Sequence, residues 1–303
     1  MMSPDGQRSV VVGVDPERPS RMVLAWAADE ANRRRLPVLV VQAWRPVTRE
    51  GIWPRLWPEL HERAQLLRTA GEHALDEAAR FVRERHPALQ VSARLVDGDP
   101  AEVLRRQAER AVVLVLGSRP LSGARELFHS GAVTLPLIAH ASCPVAVVRD
   151  PEHITQQPAY VVVGVDGSRT SQDAVDYAFE AAALRGAELR ALYAWNPSHL
   201  SVADEYRVEQ ESRRVLAETA AGRRDSYPGV ELKHEVVRGH PVAVLAEASK
   251  HALALVVGTR GAGGFTGQLL GSVGQGALHH ARCPVVTVPG PAGPDGLTRG
   301  ASG

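Results

Sequence analysis

The hexapeptide VVVGVD stands at residues 10–15 and again at residues 161–166, and this repeat decides the fold. Aligned on these copies without a gap, residues 10–46 match residues 161–197 at 14 of 37 positions, where chance predicts about two at average composition. The correspondence continues to the Cys-Pro-Val sequences at 143–145 and 283–285. A period of about 140–150 residues is too long for a solenoid unit, so each copy is predicted to be a whole domain.

Charge and composition exclude several classes of protein. The chain has 303 residues, 35 Lys+Arg against 34 Asp+Glu, and a net charge of +1, which does not favour nucleic acid or acidic membranes. No apolar run approaches the ~20 residues of a membrane helix, and the N-terminus has no apolar signal core. Two cysteines build neither a disulfide framework nor a four-thiolate zinc site. We therefore expect a soluble, cytoplasmic protein.

Both copies alternate continuous apolar runs with amphipathic helical segments. The run Val161–Val165 suits a strand buried on both faces, and a helix is predicted at Ser171–Arg185. Five such strands alternating with four helices predict parallel βαβ units in a doubly wound α/β domain. The predicted domains span residues 8–149 and 159–289, joined by a polar linker at 150–158 and followed by a disordered tail at 290–303.

A glycine-rich segment, GTRGAGGFTGQLLGS at residues 258–272, follows the fourth strand of the second copy. Six of its fifteen residues are glycine, which lets backbone N–H groups approach a ligand closely. The segment ends where a helix begins, and a helix N-terminus favours an anion. Ser272 stands at that helix start, where its hydroxyl can cap the helix or bind a phosphate oxygen. The segment is interpreted as a phosphate-binding loop, with a mobile surface loop as the alternative.

Asp166 ends the first strand of the second copy and has two interpretations. A carboxylate at the carboxyl end of a strand can bind ribose hydroxyls or help hold Mg²⁺ beside a nucleotide. Asp-Gly-Ser is also good turn chemistry before a helix. The residue alone does not decide between these readings.

Other chemical motifs are absent or misplaced. The chain has no G-x-x-x-x-G-K-[ST], G-x-S-x-G or H-E-x-x-H sequence. A relaxed dinucleotide fingerprint at 261–267 follows the fourth strand, whereas that fingerprint belongs after the first. Cys143 and Cys283 are interpreted as buried packing residues, and His240, His279 and His280 as surface or structural residues. No catalytic residue and no protein metal site is therefore predicted.

Two motifs in the second copy carry a family resemblance. They are V-D-G-S after strand one and G-x2-G-x9-G-S after strand four, formed by Gly258, Gly261, Gly271 and Ser272. Together with Cys-Pro-Val before the last strand, they resemble the nucleotide-binding branch of the universal stress protein family. The resemblance covers both copies and implies a tandem member. It implies a Rossmann-like, five-stranded parallel sheet of order 3-2-1-4-5 in each domain.

The resemblance also implies a site for ATP with Mg²⁺ in the second domain. Val165 would contact the base, Ala194 would line the adenine pocket, and Asp166, with Gly167 beside it, would meet the ribose or the metal. The sugar and phosphates would be contacted by Gly258, Arg260 and Gly261. The β- and γ-phosphates would be held by Gly271, Ser272, Val273 and Gly274. The first copy keeps Asp15 but carries Pro120 in place of the second motif glycine and Ala132 in place of Ser272. We therefore expect one ATP per chain, in the second domain.

The functional expectation is an ATP-responsive stress module that acts through contacts with a protein partner. The alternatives are a slow ATPase or phosphotransferase, and a structural partner protein with vestigial nucleotide sites. In the family the resemblance indicates, last strands of two domains pair, which predicts an intramolecular pseudo-dimer through 145–148 and 285–288 and allows a homodimer. Neither nucleic acid nor a membrane is an expected partner.

Overall fold

The computed structural model describes residues 8–15, 20–45, 57–118, 130–149, 155–196, 202–261 and 270–290. The chain divides between residues 153 and 154 into two compact units, here called unit 1 and unit 2. The predicted tail beyond residue 290 and residues 150–154 of the predicted linker lie outside the described residues. Within the described part of the chain, no helix has the length and apolar character needed to cross a membrane.

Unit 1 contains a five-stranded parallel sheet. Its elements are β1 (Ser9–Gly13), α1 (Arg21–Arg34), β2 (Val38–Trp44), α2 (Trp57–Arg85), β3 (Val91–Asp97), α3 (Pro100–Ala108), β4 (Ala111–Ser118), α4 (Ser130–His140) and β5 (Val145–Arg149). The strands pair in the order β3-β2-β1-β4-β5. Helix α1 packs against α2, and α3 packs against α4. The doubly wound order predicted for the first copy is confirmed.

Unit 2 repeats this arrangement. Its elements are β6 (Tyr160–Gly164), α5 (Arg169–Ala183), β7 (Glu188–Trp195), α6 (Val202–Ala220), α7 (Arg223–Ser226), β8 (Leu232–Arg238), α8 (Pro241–Ala248), β9 (Ala254–Gly258), α9 (Ser272–His280) and β10 (Val285–Val288). All its strand pairs are parallel, in the order β8-β7-β6-β9-β10. The central strand β6 lies between β7 and β9. The chain therefore leaves β6 toward β7 on one side of the sheet and leaves β9 toward β10 on the other.

The central strands are buried on both faces, as their uninterrupted valine runs predict. Val10, Val11 and Val12 of β1 are at most 1% exposed, and the three valines at 161–163 in β6 are fully buried. Burying each such side chain contributes about 1.5–3 kcal/mol. These strands fix the position of the residues that follow them.

One predicted helix of unit 2 is interrupted. The charged run at residues 203–224 predicts one long helix, but α6 ends at Ala220 and α7 begins at Arg223. Gly222 lies between them with φ +77°, in the left-handed region. Glycine enters that region without steric cost, and a left-handed residue ends a helix.

A hydrogen-bonded ion pair joins α1 to the end of α2 in unit 1. The Nε and Nη2 atoms of Arg85 donate to Oδ1 and Oδ2 of Asp29 at 2.6 and 2.8 Å. The His86 Nε2 atom lies 2.7 Å from the same Oδ1. Burial raises the pKa of the Asp29 carboxyl, but the hydrogen bonds from Arg85 and His86 outweigh it and hold this pKa below its ordinary value of 3.8.

The lowered pKa makes the stability of unit 1 depend on pH. A carboxyl group whose pKa is lower in the folded than in the unfolded state stabilises the fold above its unfolded pKa. That contribution is lost as pH falls through the folded pKa. Asp29→Asn is therefore expected to cost about 1 kcal/mol at neutral pH and much less in strong acid. Unfolding measured between neutral pH and about pH 2 tests this, with Asp76→Asn, an exposed change on α2, as control. Equal losses at all pH values would contradict it.

Candidate functional site

A cavity of about 430 Å³ lies in unit 2 at the carboxyl ends of β6, β7 and β9 and at the start of α9. Its volume falls within the range of small-molecule sites. Strands β6 and β9 are paired neighbours, and their outgoing connections lead to opposite sides. Ligands of open α/β sheets bind in the crevice at such a topological switch point.

The cavity brings together ten of the eleven residues predicted from the sequence. The lining includes Val165, Asp166, Ala194, Gly258, Arg260, Gly261, Gly271, Ser272, Val273 and Gly274. Gly167 is the exception among the described residues. Gly167 adopts φ +79°, and a Cβ added to it would lie 3.1 Å from the Val215 side chain. Glycine therefore serves the turn before α5 at this position. The ligand contacts of these residues remain predictions.

Asp166 takes part in the turn and also faces the cavity. Its Oδ1 accepts the N–H of Ser168 at 3.0 Å, which closes an Asx turn before α5. A Cβ added to Gly261 would lie only 2.7 Å from the Oδ2 of Asp166. Both sequence interpretations of Asp166 are therefore compatible with one placement, and a side chain at position 261 would displace the carboxylate.

Gly258 allows the first turn of α5 to approach the end of β9. A Cβ at this position would lie 2.9 Å from the Thr170 carbonyl oxygen and 3.0 Å from its carbonyl carbon. Both atoms belong to the backbone, so the helix itself would have to move. Glycine is required here by packing within the protein, whether or not a ligand binds.

Gly258→Ala is expected to destabilise unit 2 by about 2 kcal/mol, because overpacking against backbone costs roughly 1–3 kcal/mol. Gly271→Ala is the matched control, since a Cβ at Gly271 meets its nearest atom at 3.7 Å, an ordinary contact. Denaturant unfolding of both variants measures the difference. Equal stability of the two variants would contradict this account of Gly258.

The start of α9 closes the cavity on the phosphate side of the predicted site. Gly271 is the N-cap residue, with extended φ and ψ of −61° and 152°. Ser272 is therefore the first helical residue, and the alternative that its hydroxyl caps the helix is wrong. Any residue can adopt the conformation of Gly271, so the backbone does not require glycine here. Among the described residues, a Cβ at this position would meet its nearest atom at 3.7 Å, next to the positive end of the helix dipole.

One apolar part of the lining, here called the apolar wall, was not predicted. It is formed by Leu192 and Tyr193 of β7, Pro241 and Leu245 of α8, and Val257 of β9. A mostly apolar lining with a few polar groups is typical of ligand sites. The repeated Gly-x-Pro sequence at 98–100 and 239–241 was a signal for part of this wall. It fixes the start of α8, because Gly239 adopts φ +156° and donates its N–H to the Trp195 carbonyl oxygen at 2.8 Å.

Few ionisable groups face this cavity. Among its described lining residues, the ionisable side chains are those of Asp166, Tyr193 and Arg260, with no histidine, cysteine, lysine or glutamate. Across the described residues, no group of three or more His, Cys, Asp or Glu is placed to hold a metal ion.

The corresponding part of unit 1 is only partly described. Residues 119–129, which include Pro120, lie outside the described residues, while Ser130 and Ala132 fall in α4. Asp15 is exposed. Residues 262–269 of the predicted phosphate-binding loop of unit 2 also lie outside the described residues, so neither loop is described in full. The expected loss of ATP binding in unit 1 therefore stays a prediction.

The cysteines and histidines lie away from the cavity lining. Cys143 and Cys283 are 4% and 1% exposed, and burial raises the pKa of the Cys143 thiol to about 12, so that group is a poor nucleophile. His279 and His280 are exposed at the end of α9. His240 is the N-cap residue of α8 and makes no side-chain cap hydrogen bond.

The fold and the cavity define a class of protein: two doubly wound α/β domains in tandem, the second with a cavity at its topological switch point. The chain belongs to the universal stress protein family, which matches it twice, at residues 7–149 and 160–289. The predicted membership of this family and the tandem arrangement are confirmed, whereas the nucleotide-binding branch stays a prediction.

Individual relatives extend over nearly the whole chain. A universal stress protein of Mycobacterium tuberculosis is 36% identical over 302 residues, covering 94% of this chain and 98% of the relative. A second one from that organism is 33% identical over 297 residues, covering 94% and 98%. Among solved structures, a universal stress protein from Archaeoglobus fulgidus has a TM-score of 0.64 at 17% identity, covering 93% of this chain and 97% of that one. This last likeness supports the α/β fold.

Proposed function

We propose that unit 2 binds ATP and that the protein is a nucleotide-responsive stress module, acting in the cytoplasm through contacts with a protein partner. The observation that carries the proposal is the place of Gly271, which lines the cavity at the N-cap of α9. Its backbone conformation does not require glycine, and among the described residues a Cβ there would meet its nearest atom at 3.7 Å. A phosphate chain is the ligand chemistry that uses such a position.

The remaining lining suits the other parts of a nucleotide. The apolar wall, together with Ala194, offers a surface for a base, and Val165 also belongs to the lining and can offer its backbone groups. Asp166 offers a carboxylate for ribose hydroxyls or for Mg²⁺. Gly258, Arg260 and Gly261 border the segment between the sugar and the start of α9. When bound with its nucleotide, Mg²⁺ would neutralise part of the phosphate charge.

The enzyme alternative receives less support from this lining. Asp166 is the only carboxylate among the described lining residues, and its Oδ1 already accepts the Ser168 N–H. A general base must reach the proton that it removes, and no histidine or glutamate of the described lining is placed to do so. The proposal therefore assigns the site to binding.

Bound nucleotide and its turnover distinguish the three functions. The protein is purified gently, its nucleotide is released and identified, and phosphate release is then measured with added ATP. Bound ATP without turnover supports the proposal. Turnover that Gly271→Ala removes would establish the enzyme alternative, and a protein without measurable affinity for ATP would establish vestigial sites.

Gly271→Ala directly tests the proposed binding of phosphate next to Gly271. The variant should fold with wild-type stability, because the nearest described atoms lie 3.7 Å or more from the added Cβ, at ordinary contact distance. Its ATP affinity should fall about tenfold through loss of one charge-assisted phosphate contact. Unchanged affinity in the folded variant would contradict the proposed phosphate position.

A further inference from the structure

Thr170 connects the start of α5 to the segment Thr259–Gly261 that borders the cavity. Its hydroxyl Oγ1 donates a hydrogen bond to the carbonyl oxygen of Arg260. Its backbone is also the group that Gly258 approaches closely. Thr170 is not among the residues that line the cavity, so any effect on a ligand acts through the residues that it holds.

The hydroxyl hydrogen bonds at this position have a fixed direction. Thr170 has one hydroxyl proton, which it donates to the Arg260 carbonyl, a group that can only accept. In the 3.1 Å contact between Ser168 Oγ and Thr170 Oγ1, the serine hydroxyl is therefore the donor. Ser168 Oγ accepts in turn from the Ser171 N–H at 3.1 Å. The chain of bonds runs from the first turn of α5 to Arg260, and each bond polarises the next.

The bond to Arg260 orients one peptide group. In a trans peptide the carbonyl oxygen and the following N–H point in opposite directions. Because the Arg260 oxygen faces Thr170, the N–H of Gly261 points away from α5. Gly261 lines the cavity, so the orientation of this N–H decides whether it can serve as a donor to an anion.

The neighbouring residues of the segment are held by other contacts. The N–H of Thr259 donates to the Val288 carbonyl oxygen, and its own carbonyl accepts the Gly271 N–H, both at 3.0 Å. Gly261 packs against the Asp166 carboxylate. Arg260 is exposed, and a hydrogen bond from the Thr170 hydroxyl connects it to α5. At the aligned position of the first copy the sequence has Pro19, which carries no hydroxyl.

We infer that Thr170 is a positioning residue, whose hydroxyl holds the Arg260–Gly261 peptide so that the Gly261 N–H is available to a phosphate group. The inference rests on the proposed function for its effect on ligand affinity. Its effect on the segment itself does not depend on any ligand. The two effects are therefore measured separately.

The test compares Thr170→Val, which keeps the shape but removes the hydroxyl, with Thr170→Ser, which keeps the hydroxyl. Thr69→Val, an exposed change on α2 of unit 1, is the matched control. In nucleotide-free full-length protein, hydrogen exchange of the Gly271 amide reports whether the Thr259–Gly261 segment holds its position. Calorimetry with Mg-ATP reports affinity. Thr170→Val should exchange about fivefold faster and bind about fivefold more weakly, as expected for one lost hydrogen bond. Thr170→Ser and Thr69→Val should stay within about twofold of wild type.

Each outcome decides one part of the inference. Wild-type exchange and wild-type affinity in folded Thr170→Val would overturn it, and so would a Thr170→Ser protein as impaired as Thr170→Val. Faster exchange with unchanged ATP affinity would overturn the inference that Thr170 makes the Gly261 N–H available to a phosphate group. If the wild type binds no ATP while Thr170→Val still exchanges faster, the positioning role stands and the proposed function fails.

Discussion

Gly261→Pro is expected to reduce ATP affinity at least about 100-fold, the largest single effect at this site. Proline removes the Gly261 N–H, and its Cβ would come within 2.7 Å of the Asp166 Oδ2, so the carboxylate would have to move. The change therefore affects two of the proposed ligand contacts at once. A contact with a charged group contributes about 1.5–3 kcal/mol, and each 1.4 kcal/mol is tenfold in affinity. The variant also reproduces the proline that the first copy carries at this motif position.

Gly261→Ala separates the two causes, because alanine adds the same Cβ but keeps the N–H. Its affinity should lie between those of the wild type and Gly261→Pro. Calorimetry with Mg-ATP measures all three, with thermal unfolding to show that each variant is folded. A folded Gly261→Pro protein that binds ATP as the wild type does would exclude the proposed role of this segment.

Asp166→Ala should weaken ATP binding at least about tenfold, whereas Asp15→Ala should leave it nearly unchanged. Asp166 lines the cavity of unit 2, and Asp15 holds the same sequence position in a copy whose phosphate motif is altered. Asp166→Asn refines the comparison. The amide oxygen can still accept the Ser168 N–H and so preserve the Asx turn, while the charge is lost.

The two aspartate positions thus test asymmetry between the copies. Affinity is measured for the wild type, both Asp166 variants and Asp15→Ala under the same salt and Mg²⁺ concentrations. Equal losses from Asp15→Ala and Asp166→Ala would show that both copies contribute to binding. An Asp166→Asn protein with wild-type affinity would exclude a role for the charge of the carboxylate in binding, because an amide can still form hydrogen bonds with ribose hydroxyls.

The sequence predicts the fold well because its main determinants are local. Valine runs such as 161–163 are long enough to mark strands buried on both faces, and the repeat assigns the same order to both copies. The interruption at Gly222 was missed, since an isolated glycine in a helical pattern is often tolerated. Whether it ends the helix depends on the surrounding tertiary packing.

The candidate site is predicted only where a motif is contiguous. The segments around Asp166 and around Gly258–Ser272 were found because their residues lie close in sequence. The apolar wall and the contact between Thr170 and Arg260, which are 90 residues apart, depend on how β7, α8 and α5 pack. Periodicity shows that these elements exist, but it does not show which of their side chains meet at one cavity.

The most direct test of the account is a calorimetric titration of the full chain with Mg-ATP to determine stoichiometry. The account predicts one ATP per chain, with the site retained in Asp15→Ala and lost or strongly weakened in Gly261→Pro. Two equivalent sites per chain would contradict it. A single site that survives Gly261→Pro but disappears in Asp15→Ala would contradict it as well, because that result would place the nucleotide in unit 1.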